Sequence, residues 1–280
     1  NKKLFYFRYG LAGSYYSFAR DLFYRRLSGY ATLAFREADL RSNRRNYLTL
    51  RNVMVNRDEN SQIVSTDKPN YNVFNLQYML TDINLIDHFV GKLDYEVAST
   101  FHKLYTTVEY RKLFLNNRQL NLRFFAGAFL FNNNDPSSNF YSFALDRPTD
   151  YLFDYNYYGR SESSGLFSQQ LIMAEGGFKS KLDTPFANRW IVTGNASTNI
   201  WRWIYAYGDV GIVNNKGVGS QVVYDSGIRV SLVTDFFEIY FPIYSSNGWE
   251  TALPNYDQRI RFIVTLSPNL LMKLFTRRWY

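Results

Sequence analysis

The sequence predicts an all-β protein, a transmembrane antiparallel up-and-down β-barrel of about 12 strands with a short C-terminal helix. Short blocks of alternating apolar and polar residues recur along the chain, and the polar members include Asn, Gln, Arg and Glu. Aromatic residues make up 19% of the chain. Period-two alternation is typical of strands with two different faces. One apolar face and one charged face indicate a sheet whose outer solvent is lipid.

The alternation is clear near the end of the chain, where Ile260, Phe262 and Val264 interleave with Arg259 and Arg261. Similar patterns occupy the blocks 74–81 and 189–200. Charged and amide residues recur on the polar face, as at Glu109 and Arg111, and at Asn121 and Arg123. A soluble β-sandwich would also alternate, but it would not place charges so regularly on the second face. The barrel is therefore favoured over the sandwich.

The composition agrees with a barrel and excludes other classes. The 24 Tyr, 24 Phe and 5 Trp residues match the aromatic girdles that barrels place at both lipid interfaces. No run approaches the roughly 18 apolar residues of a transmembrane helix. Since the chain has no cysteine, disulfides and thiolate metal sites are excluded. The net charge of +8 could favour nucleic acid, but the cations lie within the alternating pattern and in turns, so no nucleic-acid partner is expected.

The predicted organisation is a barrel over 1–266 with a long extracellular segment at about 132–188, and an amphipathic periplasmic tail over 267–280. An even strand number places both ends on one side of the membrane. Part of the long segment, around 159–177, is expected to fold into or across the barrel mouth. Gly159, Arg160 and Glu162 are the candidate residues of this lumen loop. The twelve predicted strands are 2–17, 22–37, 45–57, 70–82, 88–100, 103–114, 118–131, 189–200, 203–213, 221–233, 236–244 and 257–266.

Two groups of basic residues are candidate contacts for a partner or for lipid headgroups. Ser267 and Pro268 predict the start of a helix, in which Lys273, Arg277 and Arg278 reach the headgroups. The alternative is a tail packed against the barrel mouth. The second group lies in the predicted periplasmic turn 39–46, where an acidic partner or anionic lipid is one interpretation and a solvated turn is the other. This group consists of Arg41, Arg44 and Arg45.

Several runs of the chain resemble one protein family. The resemblance is to the C-terminal outer-membrane barrel region of Bacteroidota gluzincin proteins, whose upstream part is similar to zinc aminopeptidases. It implies a peptidase-associated barrel with the peptidase domain upstream of this sequence, and the strand pattern that begins at Asn1 agrees with an upstream part. The runs are DLRSN (39–43), DRPTDY (146–151), GRSESSGLFSQQ (159–170), AEGGFK (174–179), YDSGIR (224–229) and LFTRRWY (274–280).

A second resemblance is to the surface-antigen barrels that insert or translocate other membrane proteins. Those barrels end with a Gly-rich strand, a tight turn, a strand, a loop and a last strand, as residues 227–266 do here. They also carry an Arg-Gly-aromatic motif on a loop inside the lumen. The nearest match is Gly159-Arg160-Ser161, which lacks the aromatic residue. The likeness is therefore one of architecture.

The sequence predicts no catalytic, cofactor-binding or metal-binding residues. The zinc chemistry of the first family needs His-Glu-x-x-His on a helix, whereas this chain has only His88 and His102, with a strand predicted between them. The charged pairs Glu109–Arg111 and Arg259–Arg261 could form a lumen that favours anions. The favoured interpretation is that they pair with acidic residues on neighbouring strands and plug the interior.

The sequence is compatible with three functions. The first is a non-catalytic barrel in the outer membrane of a Gram-negative, Bacteroidota-like bacterium, where it anchors an upstream metallopeptidase-like domain or docks into a larger assembly. Its partners would be lipid and other outer-membrane or periplasmic proteins. The second is a pore or a translocation barrel. The third, an enzyme with its site in the outer loops, is disfavoured because the loop 132–139 carries no nucleophile and base.

Overall fold

The protein is all-β in a computed structural model that describes residues 3–19, 22–37, 39, 41–58, 69–134, 139–155, 165–233 and 237–264. Within these residues, thirteen strands form one antiparallel sheet, and two short strands form a separate pair. Three of the predicted site residues, Gly159, Arg160 and Glu162, lie outside the described residues. The predicted tail 267–280, with its basic residues, also lies outside them.

The strands are long and follow one another closely in the chain. The principal strands are β1 (Lys3–Ala19), β2 (Leu22–Glu37), β3 (Arg44–Arg57), β4 (Asn70–Ile83), β5 (Asp87–Ala98), β6 (Phe101–Leu113), β7 (Gln119–Asn132), β10 (Trp190–Trp201), β11 (Ile204–Asn215), β12 (Gly219–Val233) and β13 (Phe237–Ser245). The short strands are β8 (Phe143–Ala144), β9 (Phe186–Ala187), β14 (Gly248–Trp249) and β15 (Arg261–Val264). In the described part of the chain, short 3-10 helices cover Leu166–Gln169, Glu250–Ala252 and Tyr256–Arg259.

The sheet is up-and-down, because neighbours in sequence are neighbours in space from β1 to β7 and again from β10 to β13, with β15 beside β13. β7 pairs directly with β10, so residues 133–189 leave the sheet and return to it at one seam. At one end, which we call the short-turn end, short connections such as 84–86, 114–118 and 202–203 join the strands. β7 ends and β10 begins at the other end.

The predicted strands are confirmed, with one boundary wrong. The pairing of β5 with β6 is confirmed through a two-residue turn at Ser99 and Thr100. The last strand was predicted over 257–266, but Tyr256–Arg259 is a 3-10 helix and the strand begins at Arg261. Arg259 leaves the alternating pattern because its Nη1 pairs with the Glu250 carboxylate at 2.7 Å. A buried carboxylate needs such a partner.

The two faces of the sheet reverse the usual distribution of polarity. The outward face exposes its apolar side chains, as at Leu11, Leu50, Leu76, Val210 and Val222. In a water-soluble protein, side chains of this kind form the core. The inward face buries polar and charged side chains instead, and these include Asn75, Asp94, Glu96, Lys103, Asn195, Asp209, Asp225, Glu238 and Arg261.

The chain between β7 and β10 packs on the inward face, and we call its described parts, 139–155 and 165–188, the inserted segment. Phe143, Leu145 and Phe178 of this segment are fully buried, together with Phe125 of β7 and Ile191 of β10. Of the region 159–177, which was predicted to fold into or across the barrel mouth, the described part 165–177 includes the buried Leu171 and Ala174 and the exposed Leu166 and Phe167. The apolar core of the protein lies inside the sheet, between the strands and this segment.

The inserted segment also shows that the sheet is strongly curved. Asp146 contacts Arg261 of β15, while the Phe153 ring stacks on Tyr24 of β2 with 3.9 Å between the ring centroids. Ten strand-to-strand steps separate β2 from β15, which on a flat sheet is about 48 Å. The seven Cα-to-Cα steps from Asp146 to Phe153 span at most about 25 Å. The sheet must therefore bend around the segment and bring its two ends towards each other.

Candidate functional site

The inserted segment is held to the sheet by charged groups, beginning with two adjacent carboxylates. Asp209 and Asp225 are register partners on β11 and β12. The Asp225 carboxylate accepts the backbone N–H groups of Lys179 and Ser180 at 2.8 and 2.6 Å. Lys179 Nζ pairs with Asp209 at 2.7 Å, where both side chains are almost fully buried. Together, these contacts hold the backbone of the segment against the sheet and neutralise the charge of Lys179 at the same place.

Asn195 of β10 holds the segment just before that point. Its Nδ2 donates to the carbonyl oxygens of Gly176 and Gly177 and to Asp209 Oδ1, at 2.9 to 3.3 Å. Gly177 has a φ of 77°, a left-handed conformation that favours glycine. A Cβ atom at Gly177 would lie 2.6 Å from Asn195 Oδ1. Only glycine therefore allows the backbone to approach the wall this closely.

Arg261 binds two separate parts of the inserted segment from β15. Its Nη1 donates to the carbonyl oxygens of Asp146 and Lys179 at 2.9 and 3.3 Å, and its side chain is fully buried. The next residue, Phe262, accepts the backbone N–H of Leu171 at 2.7 Å. The last described strand therefore contacts the segment at three places along its length.

A second cluster attaches the segment to β5 and β6 on the opposite wall. The Tyr151 hydroxyl donates to Glu96 and accepts a hydrogen bond from Lys103 Nζ at 3.1 Å. Tyr105 donates to the other oxygen of Glu96 at 2.7 Å. Lys103 and Glu96 are fully buried, so the cluster compensates two desolvated charges inside the sheet.

Asp154 makes a third attachment, to β2 and β3. Its carboxylate accepts from Arg26 at 2.5 Å and from Arg51 Nη1 at 2.7 Å. Arg51 donates a second hydrogen bond to the same carboxylate, at 2.6 Å, so this pair is bidentate. The described segment is thus fixed by ionic contacts near both edges of the curved sheet.

Two carboxyl groups of the inserted segment, those of Asp146 and Glu175, are shifted towards their neutral forms. Burial raises the pKa of Asp146 and of Glu175 above their usual range. The Glu175 carboxylate accepts the backbone N–H of Ala144 at 3.1 Å, and the charge of Lys103 partly opposes the shift. Burial also raises the pKa of Tyr151, so that its hydroxyl stays a donor. Burial of these two positions thus favours the protonated forms of Asp146 and Glu175.

The predicted arginine cluster does not form one surface. Arg41, Arg44 and Arg45 are all exposed at the short-turn end. Arg41 lies in the turn, whereas Arg44 and Arg45 are the first two residues of β3. Successive strand residues point to opposite faces, so Arg45 lies on the face of buried Val53 and Arg44 lies on the face of exposed Leu50. The alternation therefore separates residues that are adjacent in sequence.

The two histidines lie far apart. His88 is the register neighbour of Arg111, and its Nδ1 contacts Arg111 Nη2 at 3.2 Å. His102 lies nine residues earlier on β6, about 30 Å away, beside Tyr95 and Phe131. Across the part of the chain that the structure describes, no group of three or more His, Cys, Asp or Glu residues could hold a metal ion.

Sequence reasoning missed the residues that attach the segment. Asp209 and Asp225 stand at polar positions of alternating strands, which is a signal for the inward face. Nothing local, however, pairs them with Lys179, because the segment has no periodicity of its own. Arg111 and Arg123 were predicted to line the interior, and both lie in the wall of a cavity of about 350 Å³.

Among the described residues, no helix is long and apolar enough to cross a membrane. A comparison with protein-family models gave no match, and no curated protein matches the chain significantly.

Proposed function

We propose that the chain forms a β-barrel in the outer membrane of a Gram-negative bacterium and acts there as a non-catalytic anchor or docking subunit. One observation carries the proposal. The strands expose apolar side chains outward and bury charged ones inward, which is the reverse of a water-soluble protein and is typical of a barrel in lipid. The curvature around the inserted segment supports closure of the sheet into the barrel.

The aromatic residues support the same orientation in a membrane. Trp201 and Trp203 flank a tight turn at the short-turn end and stack with 6.5 Å between their ring centroids. Tyr244 and Trp249 pack together at the other end, with 5.2 Å between centroids. Aromatic pairs at both ends are expected where a barrel meets two headgroup layers. The short turns would then face the periplasm and the segment 133–189 would enter from outside.

The filled interior favours an anchor over a conduit. The inserted segment contacts the sheet from β2 to β15 through the ion pairs of Asp154 and Lys179 and through an aromatic core. An open pore would instead keep a polar, water-filled lumen. The proposal that the barrel holds an upstream metallopeptidase-like domain depends on the resemblance described above. A pore or translocator is the competing function, and an enzyme with its site in the outer loops is a third.

Planar-bilayer recording of the purified chain separates the first two functions. An anchor should insert without steady conductance, whereas steady single-channel conductance would favour the pore. Heat-modifiable migration in a denaturing gel, together with protease resistance in vesicles, should report the folded barrel. A chain that stays monomeric and soluble without detergent would refute the membrane proposal.

A separate assay tests the non-catalytic role. The purified chain should bind no stoichiometric zinc and should cleave no aminoacyl substrate. Zinc bound at one ion per chain, with hydrolysis that a chelator abolishes, would overturn this part of the proposal and leave the membrane location standing.

A further inference from the structure

A cavity of about 350 Å³ lies inside the sheet at the short-turn end, below the inserted segment. Its wall is formed by the inward faces of β5, β6, β7, β10, β12 and β13, and Met173 and Lys179 of the segment close it from above. We call it the cationic cavity. Its charged lining residues are Glu109, Arg111, Arg123, Lys179 and Arg229, with His88 beside them.

The cations of this cavity are unequally neutralised. Lys179 is fully paired with Asp209 at 2.7 Å. Arg229 lies 3.4 Å from Glu238, and the Nε of Arg229 is buried without a hydrogen-bond partner among the described residues. One N–H donor of Arg229 therefore has no acceptor among the described residues of the cavity wall.

Arg111 and Arg123 are the least neutralised members. Arg123 lies 3.9 Å from Glu109, too far for a hydrogen bond, and its Nη1 donates to the neutral amide of Asn195. Arg111 has no carboxylate within 4 Å among the described residues, and its contact there is His88. A guanidinium group carries five N–H donors in a fixed fork. Both arginines therefore keep free donors that an oxyanion could satisfy.

The cavity is open to water but closed towards the outward face of the sheet. Glu109 points inward, and 47% of its side chain is nevertheless exposed, so water reaches the lining. The wall beside it is an unbroken hydrogen-bonded ladder from β5 through β6 and β7 to β10. A lipid headgroup could enter from the bilayer only by breaking this ladder. Access from the short-turn end favours a soluble ligand.

We propose that the cationic cavity binds a small soluble anion through a phosphate or carboxylate group, with Arg111 and Arg123 as its main contacts. Arginine forks bind both groups in a bidentate manner. The volume is at the lower end of small-molecule sites, which fits a ligand of metabolite size. The inference goes beyond the proposed anchor function, since a barrel could anchor a domain with this cavity empty.

Calorimetric titration of the full chain in neutral detergent tests the site, with inorganic phosphate and succinate as probes at about 0.15 M salt. At least one probe should bind saturably. Arg111→Gln should weaken that binding about tenfold or more, because it removes charge-assisted hydrogen bonds. Arg118→Gln, at an exposed position in the adjacent turn, is the matched control and should leave the affinity unchanged.

Arg111→Lys provides a second variant if Arg111→Gln does not fold. It keeps the charge and loses the fork, so it should also weaken binding. The absence of saturable binding for both probes, or an equal loss with Arg118→Gln, would overturn the proposal. Loss of phosphate binding in vesicles with anionic lipid, compared with zwitterionic vesicles, would refute the soluble source. Membrane insertion and conductance of Arg111→Gln should match the unmodified chain, which separates this test from that of the anchor function.

Discussion

The Asp225 carboxylate on β12 accepts the backbone N–H of Ser180, a residue 45 positions earlier in the chain, at 2.6 Å. The adjacent N–H of Lys179 binds the same oxygen at 2.8 Å. One side chain of the wall therefore satisfies two buried backbone donors of the inserted segment. Buried donors of this kind are costly when they lose their acceptor.

Replacement of Asp225 by alanine should therefore destabilise the protein strongly. We expect a loss of about 2–4 kcal/mol in the free energy of unfolding, since two buried N–H groups lose their acceptor. Urea titration in detergent micelles measures the change. Asp225→Asn keeps an acceptor oxygen and should cost less, and Asp183→Ala, at an exposed position of the same segment, should be neutral. A similar loss for Asp225→Ala and Asp183→Ala would show that the contact contributes little.

The aromatic core is the basis of a second prediction. Phe178 is fully buried against Phe125 and Ile191, so Phe178→Ala should cost about 3–5 kcal/mol through lost contacts and a cavity. Thermal unfolding followed by circular dichroism gives the change. Phe167→Ala removes the same group from a half-exposed position in the same segment and should shift the midpoint little. Equal shifts for the two variants would argue against an ordered core inside the sheet.

The outward face should tolerate no charge near the middle of its strands. Leu76 of β4 exposes 44% of its side chain outward, and Leu76→Arg should cost about 2–4 kcal/mol if that surface faces the bilayer interior. Folding yield in vesicles reports the effect. Leu115→Arg, in a fully exposed turn, is the control and should assemble normally. If Leu76→Arg assembles as well as Leu115→Arg, then lipid does not cover that face.

The protonation of Glu175 should make stability depend on pH. Burial raises the pKa of Glu175 in the folded state above 4.5, its value in the unfolded chain. The folded state therefore binds the proton more tightly, and stability falls as the pH rises from 4.5 through the folded pKa. Glu175→Gln removes this dependence.

The melting temperature of Glu175→Gln, relative to the unmodified chain, should consequently rise as the pH increases above 4.5. A matched series with Glu37→Gln, at an exposed strand end, should show no such trend. A constant or decreasing difference for Glu175→Gln would contradict the raised pKa.

Strand positions and strand faces could be predicted from the sequence, because period two is a local signal that does not depend on distant partners. The pairing of β5 with β6 followed in this way, although its turn residues are weak signals. Because successive strand residues point to opposite faces, Arg44 and Arg45 lie on opposite faces of β3. The sequence would have predicted this separation if the strand had been taken to begin at Arg44 instead of Arg45. The strand start at Arg261 was missed because Arg259 continues the alternation in the sequence. In the structure, the guanidinium group of Arg259 forms an ion pair with Glu250 instead.

The interior of the sheet could not be predicted in the same way. Asp154 meets Arg26 across 128 residues, and Asp146 meets Arg261 across 115. No pattern within the segment specifies such partners, since each contact depends on how far the sheet curves. Arg111 and Arg123 were placed on the inward face correctly, but the sequence left open whether acidic neighbours neutralise them. The structure shows that neutralisation differs between the arginines of the inward face. Arg229 lies near Glu238, whereas Arg111 has no carboxylate within 4 Å among the described residues.

The contacts of Arg261 have a consequence for the order of assembly. Arg261 stands on the last described strand, yet it binds Asp146 and Lys179 in the middle of the chain. The hydrogen bond to Asp146 can form only after 115 further residues have been delivered, and the one to Lys179 after 82. Contacts so distant in sequence slow folding. Until then, the carbonyl groups of the segment must be solvated or held by another protein. β15 thus holds the interior as well as extending the wall, and a nascent chain that lacks this strand is the form that most needs a chaperone.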